Sequence, residues 1–83
     1  MATRVDTLGS EYKYRDAEGK QHMIAEIYAD TSSDISGKTE FNAGNGMIVA
    51  DPNSTAYVVK SGKIYVMGGD SKWYDSADGS EVQ

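Results

Sequence analysis

Residues 54–74 read STAYVVKSGKIYVMGGDSKWY, and the reading of this stretch decides the fold. Thr55-Ala56-Tyr57-Val58-Val59-Lys60 and Lys63-Ile64-Tyr65-Val66-Met67 are two runs rich in β-branched and aromatic residues, separated by Ser61-Gly62. Two such runs joined by a Gly-containing dipeptide predict a β-hairpin. Gly68-Gly69-Asp70-Ser71-Lys72 supplies a second turn, and Trp73-Tyr74 is expected to return beside Val66. If Lys60 faces Lys63, then Val59 pairs with Ile64, Val58 with Tyr65 and Tyr57 with Val66. One face then carries Tyr57, Val59, Ile64 and Val66, and the other Ala56, Val58, Tyr65 and Met67. Both faces are apolar, whereas a hairpin with one wet face alternates apolar and polar residues. Two readings follow. In one, the rest of the chain covers both faces, with Phe41 and Ile35 on one of them. In the other, a face is left for a partner.

Working outward, Met47-Ile48-Val49-Ala50 is a short strand closed by Asp51-Pro52-Asn53-Ser54, where proline suits a turn and stops a ladder. Residues 30–46, DTSSDISGKTEFNAGNG, hold only Ile35 and Phe41 as large apolar groups and read as a long polar loop. Loops of that length in compact domains are commonly functional or mobile. Residues 11–29 predict a first hairpin. Tyr12 and Tyr14 alternate with charged residues, and Asp16-Ala17-Glu18-Gly19 makes the turn. In the returning arm, Met23, Ile24, Ile27 and Tyr28 also fit one face of a helix. A strand is favoured because Ile and Tyr prefer it and the preceding turn invites pairing. Residues 1–10 and 75–83 are expected to be flexible ends. The expectation is one mostly β domain over residues 1–83: a small antiparallel sheet or meander of hairpins, a long polar loop, and at most one short helix.

Composition narrows the chemistry. The chain has 83 residues and a net charge of −5. It lacks cysteine, so thiol catalysis, disulfides and cysteine-ligated zinc are excluded. Leu, Ile, Val and Phe number only 13, a thin core for a domain that already buries a modest share of its surface. A partner surface is therefore an expected source of stability. No run is long or apolar enough to span a membrane, and the start of the chain lacks the apolar segment of a secretory signal. The eight basic residues are scattered rather than arranged in a stripe, which argues against nucleic acid.

No catalytic, cofactor or metal residue is predicted. His22 is the sole histidine and reads as a strand-surface residue. Asp30 with Asp34, and Asp75 with Asp78, are close in sequence but lack the calcium-loop pattern, and read as solvated turns. There is no nucleophile elbow around a serine. Gly44-Asn45-Gly46 and Gly68-Gly69-Asp70 lack what a phosphate loop needs. Asn53-Ser54-Thr55 matches a glycosylation tripeptide that is common by chance. The aromatic group Tyr57, Tyr65, Trp73 and Tyr74 is the best candidate surface. Its simplest role is burial, with Trp73 capping the hairpin core. As a binding surface it offers two uses: a protein interface formed by Tyr57, Val59, Ile64, Tyr65, Val66, Trp73 and Tyr74, or an aromatic platform for carbohydrate with Asp70, Asp75 and Asn53 at its rim.

The stretch 54–74 resembles the C-terminal hairpin of small proteins encoded among the virion genes of tailed phages and prophages. The likeness rests on Ser54-Thr55-Ala56-Tyr57-Val58, on Lys63-Ile64-Tyr65 and on the Gly/Asp turn before Trp73, about a quarter of the chain. The resemblance implies a non-enzymatic virion structural component, a capsid accessory, decoration or head-fibre-like protein, made in the bacterial host cytoplasm. It implies docking on copies of itself or on a major capsid or connector protein, as a homo-oligomer or symmetric assembly, without cofactor.

Overall fold

The computed structural model describes residues 3–44 and 46–82. Seven strands form a single curled sheet: β1 (Thr3–Arg15), β2 (Gln21–Ala29), β3 (Glu40–Asn42), β4 (Met47–Ala50), β5 (Thr55–Val58), β6 (Lys63–Met67) and β7 (Trp73–Asp75). The mostly β, single-domain expectation holds. The one helical element among the described residues is a 3-10 turn at Ser32–Asp34, capped by Asp34 Oδ2, which accepts from the Thr31 backbone N–H.

β2 organises the molecule. It buries Met23, Ala25, Ile27 and Ala29 on one face and leaves His22, Ile24, Glu26 and Tyr28 half-buried on the other. That period of two decides against the helical reading. β1 runs antiparallel along one edge of β2. The other edge is shared in parallel: Gln21–Met23 pairs with β4, and Glu26–Ala29 pairs with β5. The sheet therefore forks at β2 into a β4–β3 branch and a β5–β6–β7 branch. These parallel pairings join the expected hairpins, and they account for the long polar segment. A parallel partner requires a crossover of about a dozen residues or more, and residues 30–46 are that crossover. It is not all loop, since it contains the 3-10 turn and β3, and it buries Ile35 completely.

Each edge of β2 has a gap in its ladder, and a serine hydroxyl fills each gap. Where β1 slips register between Asp6 and Glu11, the Glu26 N–H donates to Ser10 Oγ at 3.0 Å. At the fork, the Ala25 N–H donates to Ser54 Oγ at 2.9 Å, and that hydroxyl donates onward to the Asp51 carbonyl at 2.6 Å. Ser54 is fully buried. Ser54→Ala is expected to strand the Ala25 N–H and destabilise the fold by about 1–3 kcal/mol. Urea denaturation measures this, and faster hydrogen exchange at the Ala25 amide locates it. An unchanged midpoint would mean that the fork does not depend on this hydroxyl.

The core lies inside the curl. Ala56 and Val58 of β5, Tyr65 and Met67 of β6 and Trp73 of β7 join the buried residues of β2 with Ile48, Ala50, Phe41, Ile35 and Val5. Phe41 on β3 and Trp73 on β7 meet edge to face at 6.2 Å, which closes one branch onto the other. The Trp73 Nε1–H donates to the Lys38 carbonyl at 2.9 Å.

Two expectations are corrected. The first concerns the hairpin register. Tyr57 pairs with Ile64 and Val58 with Lys63, two residues from the expected alignment. The cause is competition for donors. The Val59 N–H donates to the Ala29 carbonyl and the Lys60 N–H to the Asp30 carbonyl, so the end of β2 holds both residues. The turn consequently spans residues 59–62, with Gly62 at φ 71° donating its N–H to the Val58 carbonyl. The second concerns the ends. Residues 3–10 belong to β1, and Val82 N–H donates to the Trp73 carbonyl while Glu81 bridges to Tyr74, so neither end is free throughout. Met1, Ala2, Asn45 and Gln83, which fall in segments expected to be flexible or looped, lie outside the described residues. Among the described residues, no helix is long and apolar enough to cross a membrane.

Candidate functional site: the outer face of the sheet

The face of the sheet that points away from the core is built in rows by strand register. In one row Arg4 pairs with Tyr28, Tyr28 with Tyr57, and Tyr57 with Ile64, across β1, β2, β5 and β6. In the next row Asp6 pairs with Glu26, Glu26 with Thr55, Thr55 with Val66, and Val66 with Tyr74. The first row is cationic, aromatic and apolar, and the second is acidic at the β1–β2 end and apolar at the β6–β7 end. Tyr57 is 38% exposed, Ile64 49% and Val59, at the hairpin tip, 54%. The Arg4 guanidinium lies 5.0 Å from the Tyr28 ring centroid. Tyr28 and Tyr57 meet at 6.1 Å with 68° between their planes. A groove of about 410 Å³ runs between them, lined by Glu26, Ile27, Tyr28, Thr55, Tyr57 and Ile64.

The residues expected to form a partner surface therefore divide. Tyr57, Val59 and Ile64 are exposed, and Val66 and Tyr74 lie half-buried on the same outer face. Tyr65 and Trp73 do not join them. Their strand parity points them inward, where they are 8% and 2% exposed. Trp73 caps the hairpin core.

The carbohydrate rim is similarly committed elsewhere. Asp70 Oδ2 accepts from the Tyr74 hydroxyl, and Asp70 Oδ1 accepts from the Lys72 N–H. The Tyr74–Asp70 bond holds the Asp70 carboxyl below its usual value and pushes the Tyr74 phenol up to about 12. Asp75 is buried against Lys63 Nζ at 3.5 Å and accepts from the Ala77 N–H. Asn53 sits in the 51–54 turn at φ 81°, a conformation asparagine tolerates. The other acids singled out in sequence also serve their own turns. Asp34 accepts from Thr31, and Asp78 from the Ser80 N–H and hydroxyl.

His22 is not a plain surface residue. Its Nδ1 lies 2.7 Å from Asp51 Oδ1 and its Nε2 2.9 Å from Asp16 Oδ2. Its ring stacks on Tyr14 at 4.3 Å and 12°. A neutral imidazole donates from one nitrogen only, so both contacts are donor bonds only in the imidazolium form. Asp51 first, then Asp16, raise the His22 pKa, and the same histidine lowers that of Asp16. The cluster clips the 16–19 turn to the turn that begins the fork. Among the described residues, no group of three or more His, Cys, Asp or Glu is arranged to hold a metal ion.

Arg4, Glu26, Tyr28 and Thr55 were not apparent as site residues in the sequence. The signal that places them is the parallel β2–β5 register, which brings Tyr28 against Tyr57. Comparison with known protein families, curated proteins and solved structures returns no match to this chain.

Proposed function

We propose that this protein is a non-enzymatic assembly component that docks the outer face of its sheet on a larger protein. The carrying observation is the uncovered row of Tyr57 and Ile64, flanked by Tyr28 and Val66, on a domain whose opposite face already supplies its core. Contiguous exposed apolar surface on a small domain marks an interaction site. Tyrosine is enriched among residues that dominate binding energy. Tyr57, Ile64 and Val59 take the anchoring role in this reading, with Tyr28 beside them.

The resemblance of residues 54–74 to virion hairpins directs the proposal towards a phage particle. The protein would be a capsid accessory, decoration or head-fibre-like part, made in the host cytoplasm and seated on a major capsid or connector protein, or between copies of itself. Carbohydrate binding has less support. Tyr28 and Tyr57 meet at a steep angle rather than forming a flat platform, Trp73 is buried, and Asp70 and Asp75 are engaged internally.

The test uses particles produced by cells that carry the gene. The chain is expected to co-sediment with them, and the double variant Tyr57→Ser/Ile64→Ser is expected to be lost from them. The variant itself should stay folded and lose no more than about 1–2 kcal/mol of stability, since both side chains are about half exposed and lie outside the core. A chain absent from particles, or a double variant retained on them at the wild-type level, would contradict the proposal.

A further inference from the structure

The outer face contains a recess with a chemistry of its own. Tyr28 and Tyr57 form two walls of a corner, and Ile64, cross-strand from Tyr57, forms another side. Apart from Thr55, the polar residue lining this apolar groove is Glu26, whose carboxylate lies at its β1 side, over Gly9. Gly9 in the β1 bulge lets that carboxylate lie where it does, because a Cβ at this position would collide with it. Among the described residues Glu26 forms no ion pair, and its only side-chain bond is a long one of 3.4 Å from the Tyr28 hydroxyl. The charge on Glu26, followed by burial and by Asp6, raises the Tyr28 phenol pKa, while Arg4 acts in the opposite sense. The Tyr28 ring already attracts one cation, Arg4, from the β1 side. The β5 side of the corner has the same aromatic character, and among the described residues no cation pairs with Glu26 at the β1 end of the groove.

We infer that this recess receives a lysine or arginine side chain presented by the docking partner. Its aliphatic stem would lie along Tyr57 and Ile64, and its charged head would reach Glu26 beside the tyrosine rings. A cation over an aromatic ring and beside a carboxylate gains from both. The net charge of −5, with Asp6 and Glu26 on this face, favours a basic partner over a second copy of the chain. This deepens the docking proposal and rests on it.

The test is an NMR titration of the whole protein, following the Tyr28 and Tyr57 rings and the Ile64 methyls. The probes are the N-acetyl methylamides of lysine, arginine and norleucine, the last a neutral side chain of similar length. The lysine or arginine compound is expected to shift these signals at least about threefold more steeply with concentration than the norleucine compound. Glu26→Gln should bring that response down to the norleucine level, with the amide spectrum otherwise preserved. An equal response to norleucine, or a full lysine response in Glu26→Gln, would overturn the cation preference and leave the docking face standing. No response at the recess to any of the three would overturn the inference even if particle association depends on Tyr57 and Ile64. Loss of that dependence is the separate result that removes the docking proposal itself.

Discussion

Trp73→Ala is expected to destabilise the protein by about 3–5 kcal/mol, the usual range for truncating a buried large aromatic. Trp73 is 2% exposed, meets Phe41 edge to face, and donates its indole N–H to the Lys38 carbonyl. Alanine would leave a cavity at the point where the two branches of the sheet close on each other, and would leave that carbonyl without its donor. Small domains have about 5–15 kcal/mol of total stability, so much of the population would unfold at moderate temperature. Thermal and urea denaturation measure the effect. Trp73→Phe keeps most of the volume and loses the hydrogen bond, and should cost clearly less. A sugar-platform role predicts the opposite pattern, with the fold intact in Trp73→Ala and only ligand binding lost. That outcome would require Trp73 to be a surface residue.

The second large effect is on pH dependence. His22 can donate to both Asp51 and Asp16 only when protonated, and its folded pKa is raised above the ordinary 6.5. A raised basic group stabilises the fold fully below its unfolded pKa, and this stabilisation is lost as pH climbs through the folded pKa. Asp16 is held below its ordinary 3.8, so its contribution is present above that value and is lost as pH falls through the lowered one. The clip is therefore complete in the mildly acidic range between those ordinary values. The melting temperature should fall as pH rises from about 5.5 to about 8.5. His22→Phe keeps a ring beside Tyr14 but removes the charge. It should melt lower than wild type at the acidic end and show a flatter profile, so that the two curves converge at alkaline pH. Parallel curves would mean that the histidine does not carry the dependence.

These two residues also show how far the fold was legible in the sequence. Trp73-Tyr74 returning beside Val66 is a local event across one short turn, and Tyr74 does pair with Val66. The division of faces in the β5–β6 hairpin was legible as well, because the register differs by two residues and an even shift leaves every side chain on its own face. The register itself was not. It depends on Ala29 and Asp30 taking the Val59 and Lys60 N–H groups, a competition invisible within the hairpin. Parallel pairing of β2 with β4 and β5 has no turn dipeptide to announce it, and so neither the Tyr28–Tyr57 corner nor the burial of Ser54 was readable. The same holds for His22. Its partner Asp51 stands 29 positions away and reaches it only because β4 lies beside the start of β2. The aromatic set was recognised as a group, but its split into buried Tyr65 and Trp73 and exposed Tyr57 required knowing which face the crossover covers.

The central claim is that the outer face docks on another protein, and position-specific photo-crosslinking in producing cells tests it most directly. A benzoylphenylalanine placed at Tyr57 or at Ile64, both on the exposed row, is expected to give one discrete crosslinked species. The same group at Glu18 or Lys38, exposed sites away from that row, is expected to give none. Absence of any species from Tyr57 and Ile64, or the same species from all four positions, would contradict docking through this face.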